Sequence, residues 1–301
     1  MEYGITSSAM LAALHLSMWT PSKFDKKASR KTAEDNNVTE KALRLNKNLF
    51  PFECASYAAV ASAYREARDT FNTESLPWLD NGTRIITATN FMEFNRRMKE
   101  REKLIDMVLP EFFDRWPFLK SQSRTALNGL WREEDFPDLA QLRERFKFEL
   151  KFYPIPDAAD FRVELPAEAI ETIKAQISQD TKASVAKAME EPYRRLYDGV
   201  AHMAARLSAA KTCPCSKCKG KEYKTDTFND SLIDNLVDMC DVLPRLNLTA
   251  DPFLEDYIEQ VKTGLTQFAP ELVRESEPLK KTLAERAAAI EQDLAGWMNA
   301  S

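Results

Sequence analysis

At 301 residues the chain is long enough to bury a substantial core without a disulfide or a metal to make it fold. Asp and Glu outnumber Lys and Arg only by 47 to 42, and the formal charge of −5 argues against general attraction to nucleic acid while leaving room for local basic patches. The seven glycines are about a third of the usual ~7 % share, and no G-x-G-x-x-G or G-x-x-x-x-G-K-[ST] run is present, so a phosphate-cradling loop is disfavoured. His15 and His202 are the two histidines, which leaves little material for imidazole-based acid–base chemistry.

No apolar run approaches the ~20 residues that span a bilayer, and Met1 to Met18 lacks the basic start and apolar run of a secretory signal. With an odd number of cysteines, three of them too close together for a disulfide framework, the expectation is a cytoplasmic protein without membrane contact.

Leu14, Leu16 and Met18 alternate with His15, Ser17 and Trp19, the pattern of a short half-buried strand with His15 on the other face. Lys23 to Lys47 follows, locally basic. From Pro51 a helix is expected, with Tyr57, Val60, Tyr64, Ala67 and Phe71 as its apolar stripe, broken over Leu76 to Asp80. Asn81-Gly82 signals a turn, and Arg84 to Ala88 a short strand before a helix capped by Thr89 or Asn90. Phe91, Phe94, Met98, Ile105, Val108 and Phe112 form that helix's stripe, with Pro110 and Pro117 expected to kink or end it.

Phe146, Phe148, Leu150 and Phe152 alternate with charged residues, as do Phe161, Val163 and Leu165, which predicts an antiparallel hairpin. A helical pattern runs from Ala167 to about Ala210 with an interruption near Pro192, its face formed by Tyr193, Leu196, Val200, Met203 and Leu207. Further helices are expected over 228–242, 252–268 and 278–298, the second with Asp251 as cap and Pro252 in its first turn. No internal repeat or linker interrupts the chain. The expected architecture is a single α+β unit over 1–301, predominantly α-helical, with long antiparallel helices, a small antiparallel sheet, and a metal-binding or flexible turn at 211–226.

The chemistry-bearing feature is the run Lys-Thr-Cys-Pro-Cys-Ser-Lys-Cys-Lys-Gly, which places Cys213, Cys215 and Cys218 within six residues. Thiolates are good zinc ligands and nearby cations favour thiolate over thiol, so the cluster points to zinc or to redox exchange, with a reduced turn lacking chemistry as the bland alternative. Tetrahedral zinc needs a fourth ligand. If the flanking segments form an antiparallel helix pair, His202 and Cys240 lie about 15 Å below the tip and reach it only if the loop folds back, whereas Glu222, Asp226 or a thiol from another subunit lie closer to hand. His202 otherwise reads as a structural residue beside Met203 and Leu207.

The same turn carries Lys211, Lys217, Lys219, Lys221 and Lys224 around Tyr223, a pattern that fits phosphate binding with a base stacked on the ring. Asp226, Asp230, Asp234 and Asp238 follow at four-residue spacing and compete for those lysines. Lys23 to Lys47 is a second basic stretch, either a solvated surface or a polyanion site.

In Leu16-Ser17-Met18-Trp19, Leu76-Pro77-Trp78-Leu79-Asp80-Asn81-Gly82, Phe161-Arg162-Val163 and Asn247-Leu248-Thr249-Ala250-Asp251-Pro252 the chain resembles an uncharacterised family of bacteriophage and prophage proteins. The resemblance implies a phage protein in an infected bacterial host and hints at a MoxR-like ATPase as partner; the cysteine turn stands as an insertion relative to that pattern. The reading that follows is a non-enzymatic protein acting through contacts with phage or host proteins, and as a homo-oligomer. The alternatives are a nucleic-acid-binding accessory protein and, third, a metal-dependent enzyme.

Overall fold

The computed structural model describes residues 5–78, 82–158, 166–208, 212–220 and 229–300. In chain order its elements are α1 (Ile5–Ser8), β1 (Ala9–Ser17), β2 (Ser22–Phe24), α2 (Lys26–Asp35), β3 (Asn46–Asn48), α3 (Ala55–Thr73), β4 (Leu76–Pro77) and β5 (Arg84–Thr87). There follow α4 (Phe91–Leu127), α5 (Leu139–Arg143), β6 (Lys147–Tyr153), α6 (Ala167–Leu207), α7 (Ser231–Leu246), α8 (Pro252–Leu265), α9 (Pro270–Glu275) and α10 (Glu277–Ala300). The fold is α+β and mostly helical, with one four-stranded sheet in the order β4-β5-β1-β6 and a two-stranded sheet, β2-β3. Among the described residues, no helix is long and apolar enough to cross a membrane.

Contacts divide the chain into two compact units, one of residues 1–13, 72–94 and 151–301 and the other of 14–71 and 95–150. In the first, β1 runs antiparallel to β5 with Ala9 opposite Thr87 and Ala12 opposite Arg84, and β4 pairs β5 with Leu76 opposite Ile85. The helical layer is built on α6, which packs against α7, α8 and α10. Tyr193, Leu196, Val200 and Met203 from α6 meet Leu236 and Leu243 from α7, Leu254 and Val261 from α8, and Leu283, Ala287 and Leu294 from α10.

The interruption expected at Pro192 does not occur: α6 runs through it and ends at Leu207. Pro192 is buried between Met189 and Tyr193, and the packing of its neighbours outweighs the ~3 kcal/mol that an interior proline costs. At Gly199 a Cβ would lie 2.6 Å from Met239 Cε and 2.9 Å from Leu236 Cδ2, so glycine lets α7 approach α6 closely. Asp251 caps α8 by accepting from Phe253 N at 3.0 Å, and its other oxygen accepts the Tyr193 hydroxyl at 2.7 Å.

Arg195 and Arg84 both donate to the carbonyls of Asn72 and Ser75, closing the C-terminal end of α3. Burial, and secondarily the charge of Arg195, holds the Arg84 guanidinium down to about 10. Glu191 accepts from both Arg194 and Arg195.

The second unit has an aromatic centre. Trp19 meets Trp116 edge-on at 5.1 Å and Phe50 at 5.4 Å, while Tyr57 packs on Phe112 at 5.8 Å. The α3 stripe expected from sequence is buried at Val60, Tyr64, Ala67 and Phe71. Helix α4 is continuous over 37 residues, so Pro110 and Pro117, expected to kink or end it, do not end it. Both prolines lie on its exposed face, where carbonyls deprived of an N–H partner can turn to water, while Ile105, Phe112, Trp116 and Leu119 face inward. Beneath the β2–β3 ribbon, Lys47 Nζ lies 2.5 Å from Asp135 Oδ2, both side chains under a tenth exposed, and also donates to Leu130 O at 2.9 Å.

The strand expected over 146–152 is β6, and its sheet neighbour is β1. The other arm of the expected hairpin, Phe161 to Leu165, lies outside the described residues.

Candidate metal centre

The three cysteines lie on residues 212–220, which fold back along the last turns of α6. Helix α6 stops at Leu207, with Ser208 N donating to Ala204 O at 2.9 Å, a few residues earlier than the periodicity suggests. Cys213, six residues after Leu207, lies against the helix flank with its Sγ 3.9 Å from Ala201 O.

The turn is internally tied. Cys218 N and Lys219 N donate to Cys215 O at 3.2 and 3.0 Å, and Gly220 N donates to Cys213 O at 2.9 Å. Lys219 and Gly220 take positive φ of 49° and 75°, and it is this left-handed pair that curls the chain around the thiols. Asp198, about two and a half turns up α6 from the helix end, accepts from Ser216 N at 2.8 Å and also from the Ser216 hydroxyl. Cys213, Cys215 and Cys218 are all buried and form a small cluster with Ala201, Ala205 and the partly buried Tyr197.

His202, expected within reach of the thiols only if the chain folds back, meets that condition. Its Nδ1 lies 3.6 Å from Cys213 Sγ and 3.4 Å from Cys218 Sγ, and the ligand atoms of His202, Cys213, Cys215 and Cys218 all lie within 4.8 Å of one another. The 15 Å separation assumed a loop projecting beyond the helix end. Residues 212–220 instead lie back along the helix, and His202 sits only five residues, about 7.5 Å of helix, from Leu207. The usable signal was the spacing H-x10-C-x-C-x2-C together with the positive-φ glycine after the last cysteine. Cys240, the other distant candidate, is buried elsewhere, with its Sγ 3.9 Å from Ile258 O. Glu222 and Asp226 lie outside the described residues.

Electrostatics favours a neutral imidazole at His202 and, without a cation, a protonated Cys213 thiol. Burial, then Arg206 and Lys217, lowers the His202 pKa. Burial chiefly, reinforced by Cys215 and Cys218, pushes the Cys213 thiol up to about 12. A metal ion reverses that preference, because its charge compensates the thiolates as their protons leave. Three sulfurs and one imidazole nitrogen converging on one point can hold a metal ion such as zinc.

Of the residues named for nucleic-acid binding, Lys217 and Lys219 are exposed on the outside of this turn. Lys211, Lys221, Tyr223 and Lys224 lie outside the described residues. In the aspartate row, Asp230 pairs with Arg274, Asp234 and Asp238 are solvent-facing on α7 or beside it, and Asp226 is not among the described residues. His15 is exposed on β1, and Cys54 is half-buried.

No protein-family profile, curated protein or solved structure matches this chain.

Proposed function

We propose that His202, Cys213, Cys215 and Cys218 bind one zinc ion as a structural centre that staples residues 212–220 to α6, in a protein that acts through contacts with other proteins. The carrying observation is the donor spacing. With Zn–S near 2.3 Å and Zn–N near 2.0 Å, a tetrahedral ion separates sulfur and nitrogen by about 3.5 Å. The two S···N separations measured here, 3.6 and 3.4 Å, fall on either side of that value. Four protein donors fill a tetrahedral shell and leave no open position for water or substrate, which supports a structural role over a catalytic one.

The reading of the whole chain as a protein-contact scaffold is supported by large apolar side chains left in solvent: Met92 and Met107 are each 74 % exposed and Phe253 67 %. A phage setting and a MoxR-like ATPase as partner rest on the sequence resemblance.

Metal analysis of the purified protein tests the centre. About one zinc per chain is expected, with cobalt substitution giving a thiolate charge-transfer band that Cys215→Ser and His202→Ala each weaken. Absence of zinc after reconstitution, or a cobalt spectrum unchanged by His202→Ala, overturns it. Light scattering showing a strict monomer, together with no stoichiometric companion recovered from cells, counts against the scaffold reading.

A further inference from the structure

Residues 22–48 carry eight Lys and Arg against four Asp and Glu, in a chain whose overall charge is −5. The fold sorts these charges. Ser29 and Ala33 are the buried positions of α2, the Ser29 hydroxyl donating to Asp25 O at 2.8 Å and accepting from Leu45 N at 2.9 Å. That anchoring leaves Lys26, Lys27, Arg30 and Lys31 exposed, within about 140° of arc at 100° per residue. Lys23 precedes them on β2, and Lys41 and Arg44 come from the short segment packed beside α2; all three are exposed.

Two of the four acidic residues in the segment are engaged, and Asp35 and Glu40 are exposed. Asp25 caps α2 by accepting from Ala28 N at 3.0 Å, and Glu34 pairs with Arg30 at 3.6 Å. Lys47 is turned inward to Asp135 and does not belong to the surface. Lys23, Lys26, Lys27, Lys31, Lys41 and Arg44 have no ion-pair partner among the described residues. An aromatic face lies among them: Phe24 is 44 % exposed, with the Arg44 guanidinium carbon 5.2 Å from its ring centroid.

Unpaired cations on a helix face with an exposed ring and guanidinium beside them are the two parts of a single-strand nucleic-acid surface, one for phosphates and one for a base. An acidic protein surface uses the cations but has no use for the exposed ring and the guanidinium over it. We infer that α2 and the β2–β3 ribbon form a sequence-tolerant site for single-stranded nucleic acid, with Lys23, Lys26, Lys27, Lys31 and Lys41 on phosphates and Phe24 with Arg44 against a base. This site is independent of the metal centre and of Lys217 and Lys219.

The test is fluorescence anisotropy of labelled single-stranded DNA and RNA oligonucleotides against the 301-residue, zinc-loaded protein. If about four phosphates are neutralised, log K falls against log salt with a slope of about −3, so raising salt from about 50 to 200 mM weakens binding about 50-fold. Lys26→Glu/Lys27→Glu/Lys31→Glu is expected to weaken binding at least about tenfold and to flatten that slope. Phe24→Ala is expected to lower affinity about tenfold while leaving the slope unchanged. Circular dichroism confirms that each variant is folded, and the exposed Phe24 gives a readout independent of the triple variant. The inference is overturned if wild type fails to bind at about 100 µM and low salt, if the triple and Phe24 variants bind like wild type, or if poly-glutamate binds as tightly at equal salt. It is likewise overturned if Lys217→Glu/Lys219→Glu alone removes the binding.

Discussion

Removing the metal should release the cysteine turn while leaving the helices in place. Ordering the nine residues 212–220 costs about 1–2 kcal/mol each, or about 9–18 kcal/mol. The hydrogen bonds from Ser216 to Asp198, from Cys218 and Lys219 to Cys215 O, and from Gly220 to Cys213 O return about 1 kcal/mol each, roughly 5 kcal/mol together. Burial of the three cysteines against Ala201 and Ala205 returns about 3 kcal/mol more, and the remaining shortfall of up to about 10 kcal/mol is within what structural zinc supplies, about 10–16 kcal/mol. Main-core residues of α6 such as Tyr193, Leu196 and Val200 pack against other helices and do not depend on the turn. A chelator should therefore speed cleavage after the exposed Lys217 and Lys219 at least about a hundredfold, since each 1.4 kcal/mol is tenfold in the open fraction, with little change in helical signal. The assay uses a lysine-specific serine protease that needs no metal, with cleavage sites read by mass spectrometry. Equal rates at those two bonds with and without chelator would refute the reasoning.

Asp198 holds Ser216 between two of the thiols, so Asp198→Ala should weaken zinc binding about 10–100-fold in chelator competition while leaving the metal's donor set, read by cobalt absorption, unchanged. Lys47→Met strands a buried carboxylate at Asp135 and should cost about 3–5 kcal/mol in urea unfolding, most of it recovered by Lys47→Met/Asp135→Leu. At Glu191 burial acts to raise the carboxyl pKa, but the hydrogen bonds from Arg194 and Arg195 outweigh it and hold the carboxyl below its ordinary value. Because the folded pKa is depressed, this contribution is present above the unfolded value of about 4.3 and disappears as pH falls through the folded pKa. Glu191→Gln should accordingly flatten the loss of stability on acidification below about pH 5, measured by urea midpoints across pH.

The long helices were legible because their stripes repeat over many turns: Tyr57 to Phe71, Phe91 to Phe112 and Tyr193 to Met203 all point inward as their spacing implies. The strand at 9–17 was legible from alternation in its second half and longer than that alternation suggested. What sequence hid was decided by surroundings. Pro110, Pro117 and Pro192 carry a breaker signal, yet the first two are exposed on α4 where water can serve the freed carbonyls, and packing overrides the third. Helix α2 buries only Ser29 and Ala33, which are too small to mark a stripe, and β2 and β3 span three residues each. The thiol spacing marks a cluster able to hold a metal ion, whereas His202 is hidden because its distance from the thiols depends on whether 212–220 lies back along α6.

The order of segments in the first unit also has a consequence for synthesis on the ribosome. The second unit, 14–71 and 95–150, is complete once residue 150 has emerged, whereas β4, β5 and the start of β1 await α6 and the helices after it. Nascent chains thus carry sheet strands with their apolar side unclothed by any later helix, a stage at which a holdase is most useful. A stall before residue 151 would leave those strands open to mispairing with neighbouring chains.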